Sequence, residues 1–220
     1  MERTHVIFDL DGTLIETEEV WATIRRRFVQ EHGGRWHDGA QAAMMGMRTA
    51  EWARYVHDEL GVALSPDEIA REVIGRLCER LAAAVPVLPG APAVLERLAS
   101  VFTLGLATSS PLRIAQLVLA TAGWQRFFAA VVSADEVARG KPAPDVYRRA
   151  MELLDTEPRR CAAVEDSGNG IRAAHAARLA VVAIPNREYP PDAQSLALAA
   201  RVLPNLDALD VETVNALPEG

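Results

Sequence analysis

Short apolar runs and helical periods alternate along most of this chain. The runs at 4–10, 102–110, 129–135, 161–166 and 181–185 are too continuous for strands with one wet face. Between the later ones lie "PLRIAQLVLATAG", "PAPDVYRRAMELLD" and "GNGIRAAHAARLA", where apolar residues recur at spacings of three and four. Buried strands alternating with helices predict an α/β fold, a mainly parallel sheet covered on both faces.

Residues 17–84 break this rhythm. They hold no strand-like run and read as three or four helices. The clearest is "SPDEIAREVIGRLCERLAAA", with Ser65 as N-cap, Pro66 at the first helical position and Glu68 completing a capping box. Ile69, Val73, Leu77 and Leu81 recur every four residues and make one apolar stripe. Gly33-Gly34 and Gly61 punctuate the other helices. The pattern predicts a core of residues 1–16 and 85–220, with an all-α cap at 17–84 inserted after the first strand. The flanking segments, near Glu16–Glu18 and Val85–Pro89, are then hinges.

Composition narrows the function classes. The formal charge is −7, so no basic stripe is available to neutralise nucleic-acid phosphates. Arg25-Arg26-Arg27 is the one basic run, and within a helical pattern it reads as a solvated face. "MERTHVIFDL" lacks a charged leader ahead of a long apolar stretch, so no signal peptide is expected, and no apolar run in the sequence approaches the roughly 18 residues of a membrane span. Cys78 and Cys161 stand far apart and read as reduced core thiols of a cytoplasmic protein rather than zinc ligands.

Candidate chemistry gathers at predicted strand ends, where open parallel sheets bind ligands. Asp9 and Asp11 follow the first run, Thr108 the second, Lys141 lies beyond the third, and Glu165-Asp166 close the fourth. Side by side they would collect at least three carboxylates, a hydroxyl and an ammonium. Carboxylates that close repel and shift one another's pKa values, and a divalent cation relieves the repulsion. An all-oxygen ligand set suits Mg²⁺, which keeps positions free for a phosphate. Taken singly, each group has a plainer reading: Asp11-Gly12 as a turn, Thr108, Ser109 or Ser110 as a helix cap, Lys141 as a loop residue.

"DLDGT" at 9–13, "ATSS" at 107–110, "GKPAPD" at 140–145 and "VEDSGNG" at 164–170 together resemble the four ordered motifs of the haloacid-dehalogenase-like superfamily. D-x-D-G-T alone arises by chance in roughly a few chains per thousand of this length. Three partners in the right order make the match specific. The resemblance implies a Rossmann-like three-layer core, a first-type helical cap, and phosphoryl transfer through an aspartyl-phosphate. Asp9 is then the nucleophile and Asp11 the acid and base. Lys141 and Thr108 steady the phosphoryl oxygens, and Gly12 and Ser109 approach the phosphate. Mg²⁺ would be held by the Asp9 side chain, the Asp11 backbone carbonyl and Asp166, with Glu165 as a further or water-mediated ligand.

Within the cap the signals are weaker. "MMGMRTAEW" at 44–52 resembles the superfamily's specificity loop, with Arg48 as a candidate anion ligand. Trp21 is a candidate pocket wall or cap-core anchor, and Met44, Met45 and Met47 read as gap-filling core. The five histidines have no ligand spacing. "PNREYPPD" at 185–192 matches no motif and is a candidate border of the active-site mouth.

The expected activity is Mg²⁺-dependent hydrolysis of a small phosphomonoester, a sugar phosphate before others, by a monomer or weak dimer. The alternatives are a β-phosphoglucomutase-type mutase and a phosphoglycolate phosphatase. Against the mutase, the resemblance places a cap histidine where this chain has Trp21, and an arginine one position later than Arg48. Asp11 and Asp166 argue against a hydrolytic dehalogenase, and the cap insertion argues against a receiver domain.

Overall fold

A computed structural model of the chain describes residues 3–187 and 189–218. Six strands form a single sheet in which every pairing is parallel: β1 (His5–Phe8), β2 (Thr103–Thr108), β3 (Phe128–Ser133), β4 (Cys161–Glu165), β5 (Ala180–Ala183) and β6 (Arg201–Val202). Their order is β3-β2-β1-β4-β5-β6. The strand order therefore reverses beside β1, which lies between β2 and β4, and this is where such sheets open a ligand crevice. The four central strands are nearly all buried, as their unbroken apolar runs require. The two-residue β6 is exposed and too short to give a strand signal.

Helices cover both faces, and two apolar clusters divide the core. One face of β1 and β2 sends Val6, Phe8, Leu104 and Leu106 toward α5 (Ala91–Ala99) and α6 (Leu112–Ala122). The other sends Ile7 and Ala107 toward α7 (Asp145–Leu153) and α8 (Gly168–Ala176). The period-two alternation of strand side chains makes this division.

Between β1 and α5 lie only helices: α1 (Glu18–Glu31), α2 (Ala40–Met44), α3 (Thr49–Asp58) and α4 (Pro66–Ala83). The expected capping box of α4 is present, Ser65 Oγ accepting from the Glu68 amide. Ile69, Val73, Leu77 and Leu81 are all fully buried, each side chain worth roughly 1.5–3 kcal/mol relative to exposure. The two chain segments joining this block to the sheet run antiparallel, Glu16 N donating to Pro86 O at 2.8 Å and Leu88 N to Leu14 O at 3.0 Å. The short α9 (Ala193–Leu196) and α10 (Val211–Asn215) follow β5 and β6. No helix among the described residues is long and apolar enough to cross a membrane.

Candidate active site

Parallel register brings the carboxyl ends of β2, β1 and β4 to one level, with Phe8 opposite both Leu106 and Val164. Asp9 stays tied to β4, its amide donating to Val164 O at 3.0 Å. The chain then folds back on itself, Gly12 N reaching Ile15 O at 2.7 Å. Gly12 adopts φ +82°, and a Cβ there would lie 2.0 Å from Asp166 Oδ2. No other residue fits so close to that carboxylate.

Lys141 organises the buried part of the site. Its Nζ donates to Asp9 Oδ1 at 2.5 Å, Glu165 Oε1 at 2.6 Å and Ala107 O at 3.0 Å, which engages all three ammonium protons. Glu165 is fully buried and also accepts from Tyr147 OH at 2.5 Å and Ser167 Oγ at 3.3 Å. The Asp11 carboxylate is aimed by two hydroxyls, those of Thr17 and, at 3.3 Å, Thr108. Thr108 accepts in turn from Ser110 N at 3.0 Å.

Asp9, Glu165 and Asp166 are all buried, and one oxygen of each lies within 4.8 Å of the others. Three carboxylates face one ammonium. Burial pushes the Asp9 carboxyl up to about 8, with Glu165 and Asp11 adding to the rise and Lys141 opposing it. Burial, then Asp9 and Glu165, also hold Asp166 well above the usual carboxylate range. Burial works against the Lys141 charge, but Asp9 and Glu165 overcome it and keep the ammonium protonated. The surplus negative charge and all-oxygen donor set fit a divalent cation, and they fit Mg²⁺ better than a softer metal.

This cluster forms the floor of a cavity of about 490 Å³. Asp9, Asp11, Lys141, Asp166, Ser109 and Trp21 line it. Thr108, Glu165 and Gly12 sit behind that lining and act on it through Asp11, Lys141 and Asp166. Arg48 is elsewhere. Its guanidinium binds Glu51 and donates to Val137 O at 3.3 Å and Ala138 O at 2.8 Å. The arginine stem crosses Gly140, where a Cβ would lie 2.7 Å from Arg48 Cγ. Arg48 thus clasps the loop before Lys141 instead of entering the cavity.

Two readings of the helical block need correction. Arg25 does not share the solvated face of Arg26 and Arg27; it is 5% exposed and lines the cavity. Its Cζ lies 4.3 Å from the Trp21 ring centroid and 4.8 Å from that of Trp52. Met44, Met45 and Met47 are not core filling alone, since all three line the cavity. The sequence also hid Glu18, Gln41, Trp52, Asn169 and Arg172, which line or border the same space. A signal existed: Glu18, Trp21, Arg25 and Phe28 fall at three- and four-residue spacing, one face of α1. Tyr189, Pro190, Pro191 and Asp192 border the mouth, as the unassigned "PNREYPPD" suggested, with Glu188 outside the described residues.

The fold and the strand-end cluster together define a Rossmann-like hydrolase of the haloacid-dehalogenase type. The family model "haloacid dehalogenase-like hydrolase" matches residues 4–178, and the chain belongs to that family. Its relatives place it among the phosphoric monoester hydrolases. It is 31% identical to the fructose-1-phosphate phosphatase YqaB of Escherichia coli, over 80% of this chain and 94% of that one. It is 30% identical to the bifunctional riboflavin kinase/FMN phosphatase of Arabidopsis thaliana over 82% of its length, and spans about half (48%) of that larger protein. A crystal structure of a CbbY mutant from Rhodobacter sphaeroides in complex with xylulose-(1,5)bisphosphate superposes with a TM-score of 0.84. It is 27% identical and covers 97% of this chain and 99% of that one.

Proposed function

We propose that this protein is a Mg²⁺-dependent phosphatase acting on a small phosphorylated sugar through an aspartyl-phosphate on Asp9. The observation that carries the reading is the pairing of Asp9 with Lys141 at 2.5 Å on the cavity floor, with Asp11 beside it. Asp9 Oδ attacks phosphorus in line with the leaving oxygen, and the Asp9–phosphate bond forms as the ester P–O bond breaks. Asp11, steadied by Thr17 and Thr108, gives its proton to the leaving alkoxide. It then takes a proton from the water that attacks the aspartyl-phosphate. Lys141, kept charged and oriented by Glu165, offsets charge on the transferring group. Asp9, the Asp11 carbonyl and Asp166 would hold Mg²⁺, with Glu165 acting through Lys141 or a bridging water. The ion supplies positive charge against the phosphoryl oxygens.

Residues 17–84 act in this reading as a cap, hinged near Glu16–Glu18 and Val85–Pro89. Trp21, buried against Trp52 with ring centroids 5.9 Å apart, offers no proton relay to retain a phosphorylated intermediate for return transfer. Hydrolysis is therefore favoured over isomerisation. A panel of hexose, pentose and polyol phosphates assayed for released phosphate with and without Mg²⁺ tests the proposal. Phosphate should appear from several sugar phosphates only with the ion. Conversion of β-glucose 1-phosphate to glucose 6-phosphate faster than phosphate release would instead identify a mutase.

A further inference from the structure

A second polar cluster, on the helical block, borders the same cavity as the carboxylates, and its interpretation rests on the phosphatase reading above. Arg25 is 5% exposed, yet its one described hydrogen bond is from Nη1 to Gln41 Oε1 at 3.3 Å, and its buried Nε has no partner. A guanidinium carries five N–H donors, so most of its capacity is unused. Leaving such groups dry and unpaired is unfavourable unless something fills them. The Trp21 and Trp52 rings, packed against each other, both contact the guanidinium and fix its position. Gln41 also donates from Nε2 to Glu18 Oε2 at 2.8 Å. One amide thus spaces a carboxylate and a guanidinium along the same wall without letting them close into an ion pair.

A wall that offers an acceptor beside a donor suits hydroxyls, each of which gives one hydrogen bond and takes others. A second phosphate or a carboxylate needs surplus positive charge, and this cavity lacks it. Of the other lining cations, Lys141 is paired with Asp9 and Glu165 and Arg172 with Asp192, so neither adds net positive charge. Arg48 spends its donors outside the cavity. We propose that Glu18, Gln41 and Arg25 form a subsite for the hydroxyls of a neutral leaving group. The substrate class is then monophosphate esters of neutral polyols, not bisphosphates or phosphorylated acids.

The test compares kcat/KM with Mg²⁺ for wild type, Arg25→Gln and Glu18→Gln. The probes are the best monophosphate from the sugar panel, fructose 1,6-bisphosphate, phosphoglycolate and p-nitrophenyl phosphate, which has no hydroxyls to read. Wild type should prefer the sugar monophosphate over all three other probes. Each variant should lower the ratio of sugar monophosphate to p-nitrophenyl phosphate at least about tenfold, as expected for lost charged hydrogen bonds. A general loss of fold would depress both rates and leave the ratio alone. Glu18 lies in the first turn of α1 and is half-buried, so Glu18→Gln remains informative even if Arg25→Gln fails to fold. An unchanged ratio in folded variants, or a wild-type preference for the bisphosphate or phosphoglycolate, overturns the subsite. If wild type hydrolyses p-nitrophenyl phosphate in that case, the subsite alone is wrong. No phosphate from any ester would bring down the phosphatase reading with it.

Discussion

The two sides of the cavity are built in different ways. On the floor, backbone geometry does the placing: Asp9, Asp11, Asp166 and Lys141 stand at the ends of, or in loops from, parallel strands held in fixed register. On the helical wall, Glu18, Trp21, Arg25, Gln41 and Trp52 come from three helices and are placed only by packing against one another. In the proposed reaction the sheet holds the groups that act on any phosphoryl ester, while the helical wall contacts whatever the phosphate leaves behind. Changes on the floor should therefore scale all substrates together, and changes on the wall should reorder them.

The largest effects belong to the floor. Asp9→Asn, or stripping the metal with EDTA, should lower phosphate release at least about 10³-fold for every ester, and Mg²⁺ should restore only the second. Ca²⁺ should inhibit, because its looser coordination disfavours in-line geometry. Gly12→Ala should be nearly as damaging, since its methyl and Asp166 cannot share the same space. Lys141→Met leaves buried carboxylates unpaired, so about 3–5 kcal/mol of stability should vanish along with activity, visible as a lower melting temperature. A smaller effect separates the regions: Arg48→Ala should leave the ranking among sugar phosphates unchanged within about threefold, because its contacts are to Glu51 and two core carbonyls. A reordered ranking would bring Arg48 into the cavity after all.

The smallest effect is the pH dependence of stability. Asp9 and Asp166 have folded-state pKa values above their unfolded ones, so between those values the folded protein binds more protons and stability falls as pH rises. Lys141, raised from an already high value, adds nothing to that slope below its unfolded pKa. The metal-free protein should accordingly melt a few degrees higher near pH 5 than near pH 8, and saturating Mg²⁺ should remove most of the difference. A metal-free melting temperature that rises across this range would contradict the crowded, under-neutralised floor.

The same contrast governs what the sequence made legible. Four central strands emit apolar runs, and three of them, β1, β2 and β4, end on or beside a polar site group, so the sheet and most of the floor could be read residue by residue. The capping box and four-residue stripe of α4 were equally plain because both are local. The wall was not, because the triplet Arg25-Arg26-Arg27 looks like one solvated feature until a helix turns the first arginine inward by some 100° per residue. Which of three arginines is buried depends on Trp52 and Gln41, far along the chain, and no local pattern records them. Thr108 and Glu165 are legible as polar groups closing apolar runs, but their hydrogen bonds to Asp11 and Lys141 are tertiary facts. β6, two residues long and exposed, left no trace.

Covalent chemistry at Asp9 is the claim on which the rest depends. Wild-type protein mixed with Mg²⁺ and its best sugar monophosphate, quenched in acid within a turnover and digested, should yield one phosphorylated peptide, containing residues 4–15, with the phosphoryl group on Asp9. The adduct should decay as free phosphate appears and be missing from Asp9→Asn. Phosphate released through a full turnover with no adduct on Asp9, or with the adduct on another residue, would contradict it.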